Sequence, residues 1–373
     1  MKSGTRASLR ADEILPEQRL VLRAAGCRTA REATLAWADF RQLVPEGAED
    51  PSARRLLPAV CRNLGRLAGV RDTYLLRAYA QSFGASARIL SAASRAVRVL
   101  NGASIQAMAL KGTALLVAHY RDSGIRPMAD ADLLVPEARI KDALDVLMAD
   151  GWRGDGTHAW LRTEIHAGSL ALAGTTLDLH RHALYEARYP EADDAFFNAS
   201  VPIELMGAAC RAMEVSDQLL HTVVHGLRWS IAPSNVWILD ADILLRSGRV
   251  DPERVRSRAE ALGFTVPLKR GLEIVGSVYG RDGDLSSLLA ALSRSAEPWS
   301  ARLEHRFRVR EPAGLWGAIP NLWFAHLRSR PPGRIGVRGF PTFLARAWRL
   351  GTPGQLPAAL FRKAVRRLRS RKP

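Results

Sequence analysis

Cysteine is scarce in this 373-residue chain: there are three, Cys27, Cys61 and Cys210, widely spaced and odd in number. That excludes a disulfide framework and a cysteine zinc cluster. It predicts a reducing compartment, no disulfide partner, and thiols that behave as small buried hydrophobes. Long hydrophobic runs are missing too. No stretch of about 18 uncharged apolar residues occurs, so no transmembrane helix is expected. The first twenty residues, MKSGTRASLRADEILPEQRL, lack the apolar core of a secretory signal. A soluble, cytoplasmic protein is expected. Lysine is also rare, at 6 of 54 basic side chains. Because arginine preference of this kind can follow genome composition, the net charge of +17 does not name a partner.

What charge there is sits unevenly. Residues 1–100 carry 17 basic and 9 acidic side chains, and residues 301–373 carry 17 and 2, a net of +15. The middle is acidic: residues 101–200 hold 9 basic and 14 acidic side chains, and residues 201–300 hold 11 and 12. An acidic centre between basic flanks is a reasonable home for a cation.

The patterning divides the chain into an N-terminal helical region (1–100), a central mixed region (101–200), a C-terminal helical region (201–300) and a basic, irregular tail (301–373). Residues 15–100 are rich in Ala, Leu and Arg with apolar residues three to four apart, closing at Asn101-Gly102. The character changes at Ser104. IQAMAL (105–110) reads as a strand, Lys111-Gly112-Thr113 as a tight turn, and ALLVAHY as a helix. A loop containing Arg126 follows, then the strand ADADLLV (129–135), then a helix opened by Pro136 and closed by Gly151. Ala159–Leu172 and Thr175–Leu184 read as two strands joined by Ala173-Gly174. From Pro202 to Leu292 the pattern is helical again, and there is no internal repeat.

Three pieces of this central region bear chemistry. Asp130 and Asp132 sit two apart on a strand, so both face the same way, opposite Ala131 and Leu133. Paired carboxylates repel unless a cation lies between them, and Mg²⁺ with its hard oxygen ligands is the natural one. Lys111-Gly112-Thr113 lies between strand and helix, where Gly permits close backbone approach, free N–H groups attract phosphate, and Thr113 either caps the helix or binds phosphate. Asp178 and His180 share one face of their strand while Leu177 and Leu179 point to the core. Beside the first pair, Asp178 completes a three-carboxylate cluster of the kind that supports in-line phosphoryl or nucleotidyl transfer.

The order strand–KG–helix, Arg126, D-x-D strand, helix, hairpin with a third Asp resembles the nucleotidyltransferase superfamily related to DNA polymerase beta. It is most similar to the bacterial branch described as uncharacterised nucleotidyltransferases. LKGTALLVAHYRDSGIRPMADADLLV and LDLH match that branch at Lys111, Gly112, Tyr120, Arg126, Pro127, Asp130, Asp132, Asp178 and His180. The likeness is strong over residues 100–185 and extends to His221, His225, Trp237 and Asp240. The chain departs from the wider superfamily in having Gly112-Thr113 where Gly-Ser is usual, although Thr keeps the hydroxyl.

The resemblance implies an α+β fold, a small mixed or antiparallel nucleotidyltransferase sheet with helices, flanked by helical regions. It also implies a metal-dependent transfer from an NTP, with ATP the first choice and Mg²⁺ or Mn²⁺ as cofactor. Asp130 and Asp132 would hold the metal that grips the triphosphate, and Asp178 would serve a second metal and the acceptor hydroxyl. Gly112, Thr113 and Lys111 would hold the leaving pyrophosphate, with Arg126 neutralising charge and His180 orienting Asp178 or touching substrate. The resemblance does not name the acceptor; a hydroxyl on a small molecule, peptide or protein is expected, with an RNA end the narrower option. The alternative is a retired enzyme acting as a scaffold. FRKAVRRLRSRKP, with Phe361, Val365 and Leu368 on one stripe, would tether it to an anionic membrane or to RNA. His221 and His225, four apart, are expected to pack against the core rather than bind metal. Asp240 and Asp242 do not share a helical face and are set aside.

Overall fold

The computed structural model describes residues 10–154, 156, 166–230, 234–312, 314–330, 339–348, 350 and 352–360. The basic stretch 361–373 and part of the expected strand before Gly168 lie outside these.

The N-terminal layer comprises α1 (Pro16–Gly26), α2 (Ala30–Leu43), the single turn α3 (Pro51–Arg54), α4 (Leu57–Ala68) and the 30-residue α5 (Thr73–Gly102). Local chemistry sets their starts. The Asp50 carboxylate accepts the N–H groups of Ser52 and Ala53, and Asp72 those of Tyr74 and Leu75, each satisfying donors the helix cannot. The central elements are β1 (Met108–Ala109), α6 (Lys111–Leu115), β2 (Ala131–Leu134), α7 (Ile140–Ala149), β3 (Arg153–Gly154), β4 (Ala167–Leu172), β5 (Thr175–His180), α8 (Asp194–Ala199), β6 (Val201–Leu205) and β7 (Ala208–Ala212). Then come α9 (Val215–Gly226), α10 (Val236–Leu245), α11 (Pro252–Leu262), α12 (Thr265–Tyr279), α13 (Gly283–Ser293), α14 (Trp299–Arg308), α15 (Gly314–Leu327) and α16 (Phe340–Ala347).

The strands form one seven-stranded mixed sheet in the order β3-β4-β5-β2-β1-β7-β6. β2 runs parallel to β5, with Asp132 opposite Asp178 and Leu134 opposite His180. β1 is antiparallel to β2 and parallel to β7. The fold is α+β with helical regions before and after the sheet, as the sequence implied.

Alternation along the strands splits the interior in two. Ala109, Ala131, Leu133, Leu177 and Leu179 turn to a core shared with Ile89, Ala93 and Val97 of α5 and with Ala143 and Leu147 of α7. Leu177 and Leu179 are fully buried, each contributing about 1.5–3 kcal/mol relative to exposure. Met108, Leu110 and Leu134 turn the other way, into a core built with α1, α4, α9, α10 and α12. That second face carries Asp132, Asp178 and His180, so the charged groups lie beneath a helical layer rather than on an open surface.

Two expectations are corrected. The segment after Pro202 is not helical at first: β6 and β7 form a hairpin around Met206 and Gly207, whose φ values of 46° and 78° suit a tight two-residue turn. Its inward residues are Ala, Cys and Leu, which lack the β-branched signature of a strand. Beyond residue 300 the chain is less irregular than its Pro, Gly and Trp content suggested, since α14, α15 and α16 lie there. No helix among the described residues is long and apolar enough to cross a membrane.

Candidate functional site

β1 ends at a strained junction. Lys111 adopts φ = 44°, a left-handed conformation costly for a residue with a Cβ. Gly112 follows it, and a Cβ there would collide with the Arg126 guanidinium and the Met128 side chain. The close approach that requires glycine is therefore made by the protein's own arginine. Thr113 is fully buried, and its hydroxyl accepts the Asp132 N–H at 3.1 Å. This corrects the expectation of a phosphate contact: the hydroxyl fastens α6 to β2 and does not face the cleft.

Asp132 is the centre of the site. It is 3% exposed, Lys111 Nζ donates to its Oδ1 at 2.6 Å, and His180 Nε2 lies 3.0 Å from the same oxygen. Burial pushes its pKa up, but the Lys111 charge and the His180 hydrogen bond outweigh that and hold it far below the ordinary carboxylate range. His180 thus braces Asp132, not Asp178. Asp178 accepts from Ser169 Oγ at 2.6 Å. Asp132, Asp178 and His180 each present a ligand atom, and these lie within 4.8 Å of one another.

Asp130 belongs to the same cleft but not to that tight group. Burial, then the charges of Asp132 and Asp178, raise its pKa from 3.8 to about 6. Among the described residues no cation pairs with it. A partly buried carboxylate, destabilised by two like neighbours and lacking a counter-ion, is the chemistry that a hard divalent cation would relieve. Lys111 and His180 both use Oδ1 of Asp132, which leaves Oδ2 with no hydrogen bond among the described residues. The donor set therefore fits Mg²⁺ or Mn²⁺.

Arg126, expected to face phosphate, is pinned by Asp240 of α10: Nε donates to both carboxylate oxygens at 2.9 and 3.0 Å, and Tyr120 Oη donates to Oδ1 at 2.8 Å. Asp240 is thus a residue that the sequence reading set aside and the fold uses. Its signal was there, one of two carboxylates in an otherwise apolar helix, but its partner lies 114 residues away. His221 Nε2 lies 3.2 Å from the Ala183 carbonyl and its ring stacks on His225 at 5.9 Å, so this pair packs as expected. Burial, then the Lys111 charge, lowers the His221 pKa to about 3.

Lys111, Gly112, Arg126, Asp130 and Asp132 line one side of a cleft of about 390 Å³. Arg10, Gln18, Ser52 and Arg55 close it from the N-terminal layer, and His225, Arg228, Asn235 and Trp237 from α9 and the start of α10. Arg10, Gln18, Ser52 and Arg55 carried no motif, and the sequence did not single them out.

Residues 52–280, more than half of the chain, match the model of a family described as uncharacterised nucleotidyltransferases. The chain belongs to that family. No curated protein matches it.

Proposed function

We propose that this nucleotidyltransferase-family chain transfers the nucleoside monophosphate of an NTP, with ATP the first choice, to a hydroxyl of a small molecule, peptide or protein. The observation that carries the reading is the grouping of Asp132, Asp178 and His180 within 4.8 Å of one another on paired strands of the sheet. Asp130 and Asp132 line the adjoining cleft, with Lys111 and Arg126 at its wall.

The acceptor oxygen attacks the α-phosphorus, the bond from that phosphorus to the α–β bridging oxygen breaks, and pyrophosphate leaves. Asp178 takes the acceptor proton, its second oxygen being clear of the Ser169 hydrogen bond. A divalent cation held by Asp130, Asp132 and Asp178 would neutralise the triphosphate and polarise the α-phosphate. Lys111, on a strained backbone, brings a positive charge to the edge of the carboxylates, where it can follow the leaving phosphates. Trp237 and His225 also line the cleft. The work left to the chain is positioning and charge neutralisation, which needs few side chains.

A retired scaffold is disfavoured because all three carboxylates remain. The test is incubation with α-labelled and γ-labelled NTPs, Mg²⁺ or Mn²⁺, and cell lysate. Label should reach an acceptor only from the α position, with pyrophosphate released, and Asp132→Ala should abolish it. Acceptor labelling from the γ position, or labelling that survives in Asp132→Ala, would defeat the reading.

A further inference from the structure

Five basic side chains line the cleft, and four have partners in the protein. Arg10 Nη2 lies 2.6 Å from Asp12, Lys111 Nζ 2.6 Å from Asp132 and Arg126 Nε 2.9 Å from Asp240, while Arg228 sits over the Tyr185 ring at 5.5 Å. Arg55 is different. Among the described residues its guanidinium has no hydrogen bond, ion pair or ring partner, although it is partly buried and lines the cleft beside Arg126 and Asp130. Burial, then repulsion by Arg126, lowers its pKa and outweighs the attraction of Asp130 and Asp240, neither of which is in contact with it, so the folded protein bears a cost for keeping this charge there.

The residue is held in place from both sides. Its backbone N–H closes the turn α3, which Asp50 caps at the other end. Leu56 and Leu57, next in the chain, are 1% exposed and anchor it in the core. Ser52 of the same turn accepts the Asn235 N–H at 2.7 Å, tying α3 to the start of α10. An unpaired arginine on a fixed platform is an anion site waiting for its anion. A guanidinium suits phosphate oxygens, which it grips with two parallel N–H groups.

We infer that Arg55, supplied by the N-terminal helices, binds the polyphosphate end of the nucleoside triphosphate. The inference rests on the nucleotidyltransferase reading above and adds to it the residue that distinguishes a triphosphate from a monophosphate.

Calorimetric titration of the full-length protein with ATP and with AMP, each with Mg²⁺, tests it in the wild type, Arg55→Ala and Arg55→Lys. Loss of a charged hydrogen bond to phosphate predicts at least about tenfold weaker ATP binding in Arg55→Ala. AMP affinity should stay within about twofold, and Arg55→Lys should recover part of the loss. Equal weakening of ATP and AMP would overturn the assignment, since Arg55 would then shape the cleft or meet an acceptor anion instead. Unchanged ATP binding in Arg55→Ala would overturn it while leaving the nucleotidyltransferase reading intact. Should the wild type bind none of ATP, GTP, CTP and UTP with metal, that reading fails and the Arg55 assignment falls with it.

Discussion

Two segments of the chain spell almost the same thing: ADADLLV from Ala129 to Val135 and LDADILL from Leu239 to Leu245. In the first, the strand is shorter than expected: Asp130 lies in the bend before β2 and Asp132 on β2, both lining the cleft, while Ala131 and Leu133 enter the core behind the sheet. In the second, a helix turns the two carboxylates about 200° apart. Asp240 then reaches Arg126 and Tyr120, while Asp242 meets Arg246 at 2.5 Å. The same three residues line a cleft in one backbone and form two separate struts in the other. The difference also shows in charge balance: Asp240 is paired and 1% exposed, whereas Asp130 has no cation and a pKa raised to about 6.

Substitutions can break that contrast, beginning with the strand. Asp132→Asn should lower nucleotidyl transfer by at least about a hundredfold, as expected when a buried electrostatic centre is removed. It should also cost about 3 kcal/mol in urea unfolding, because Lys111 and His180 lose their shared partner. Transfer at wild-type rates would show that the strand carboxylates are struts like those of the helix.

Asp178→Asn separates binding from chemistry. Turnover, followed as pyrophosphate release, should fall by about a hundredfold while ATP affinity with Mg²⁺ stays within about threefold. An unchanged rate would assign Asp178 to the strand alone.

On the helix, Asp240→Asn should leave the carboxylates of the cleft in place and cost about 3 kcal/mol of stability, because a buried Arg126 would face a neutral amide. Asp242→Asn should behave oppositely. Burial raises the Asp242 pKa to about 6 despite Arg246, so the ionised form is already disfavoured. Comparing urea midpoints of the two variants at pH 8 is a direct measure of how differently one helix treats its two aspartates.

The smallest effect is a gain. The folded-state pKa of Asp130, about 6, lies above the ordinary 3.8, so the folded protein resists its ionisation. Asp130→Asn without metal should therefore stabilise the protein at pH 8 by on the order of 2 kcal/mol, the gain vanishing as pH falls below 4. Added Mg²⁺ should raise the wild-type melting temperature more than that of the variant. A variant less stable than wild type at pH 8 would mean that Asp130 has a partner cation after all.

Local pattern made much of the site readable. Period-two alternation at Ala131–Leu134 and Thr175–His180 assigned faces to Asp132, Asp178 and His180, and the structure keeps them on one face. The Ala173-Gly174 turn was legible because positive φ at both positions, 49° and 76°, leaves few residue choices. The β6–β7 hairpin was not, since Ala208, Cys210 and Ala212 fill a crowded interior where small size matters more than strand propensity.

The remaining features depend on distance along the chain. Periodicity reports how neighbours a few residues apart are directed, and this was enough to direct the carboxylates and the turn at Lys111-Gly112 towards one place. It holds no information on which arginine meets which aspartate across a hundred residues. Arg126 and Asp240 pair, and Arg55 is left without a bonded carboxylate among the described residues, because the helical layers before and after the sheet close over the same strand face. Burial then makes every unpaired charge costly, so packing between distant segments decides which cation is spent on the fold and which is kept for a ligand.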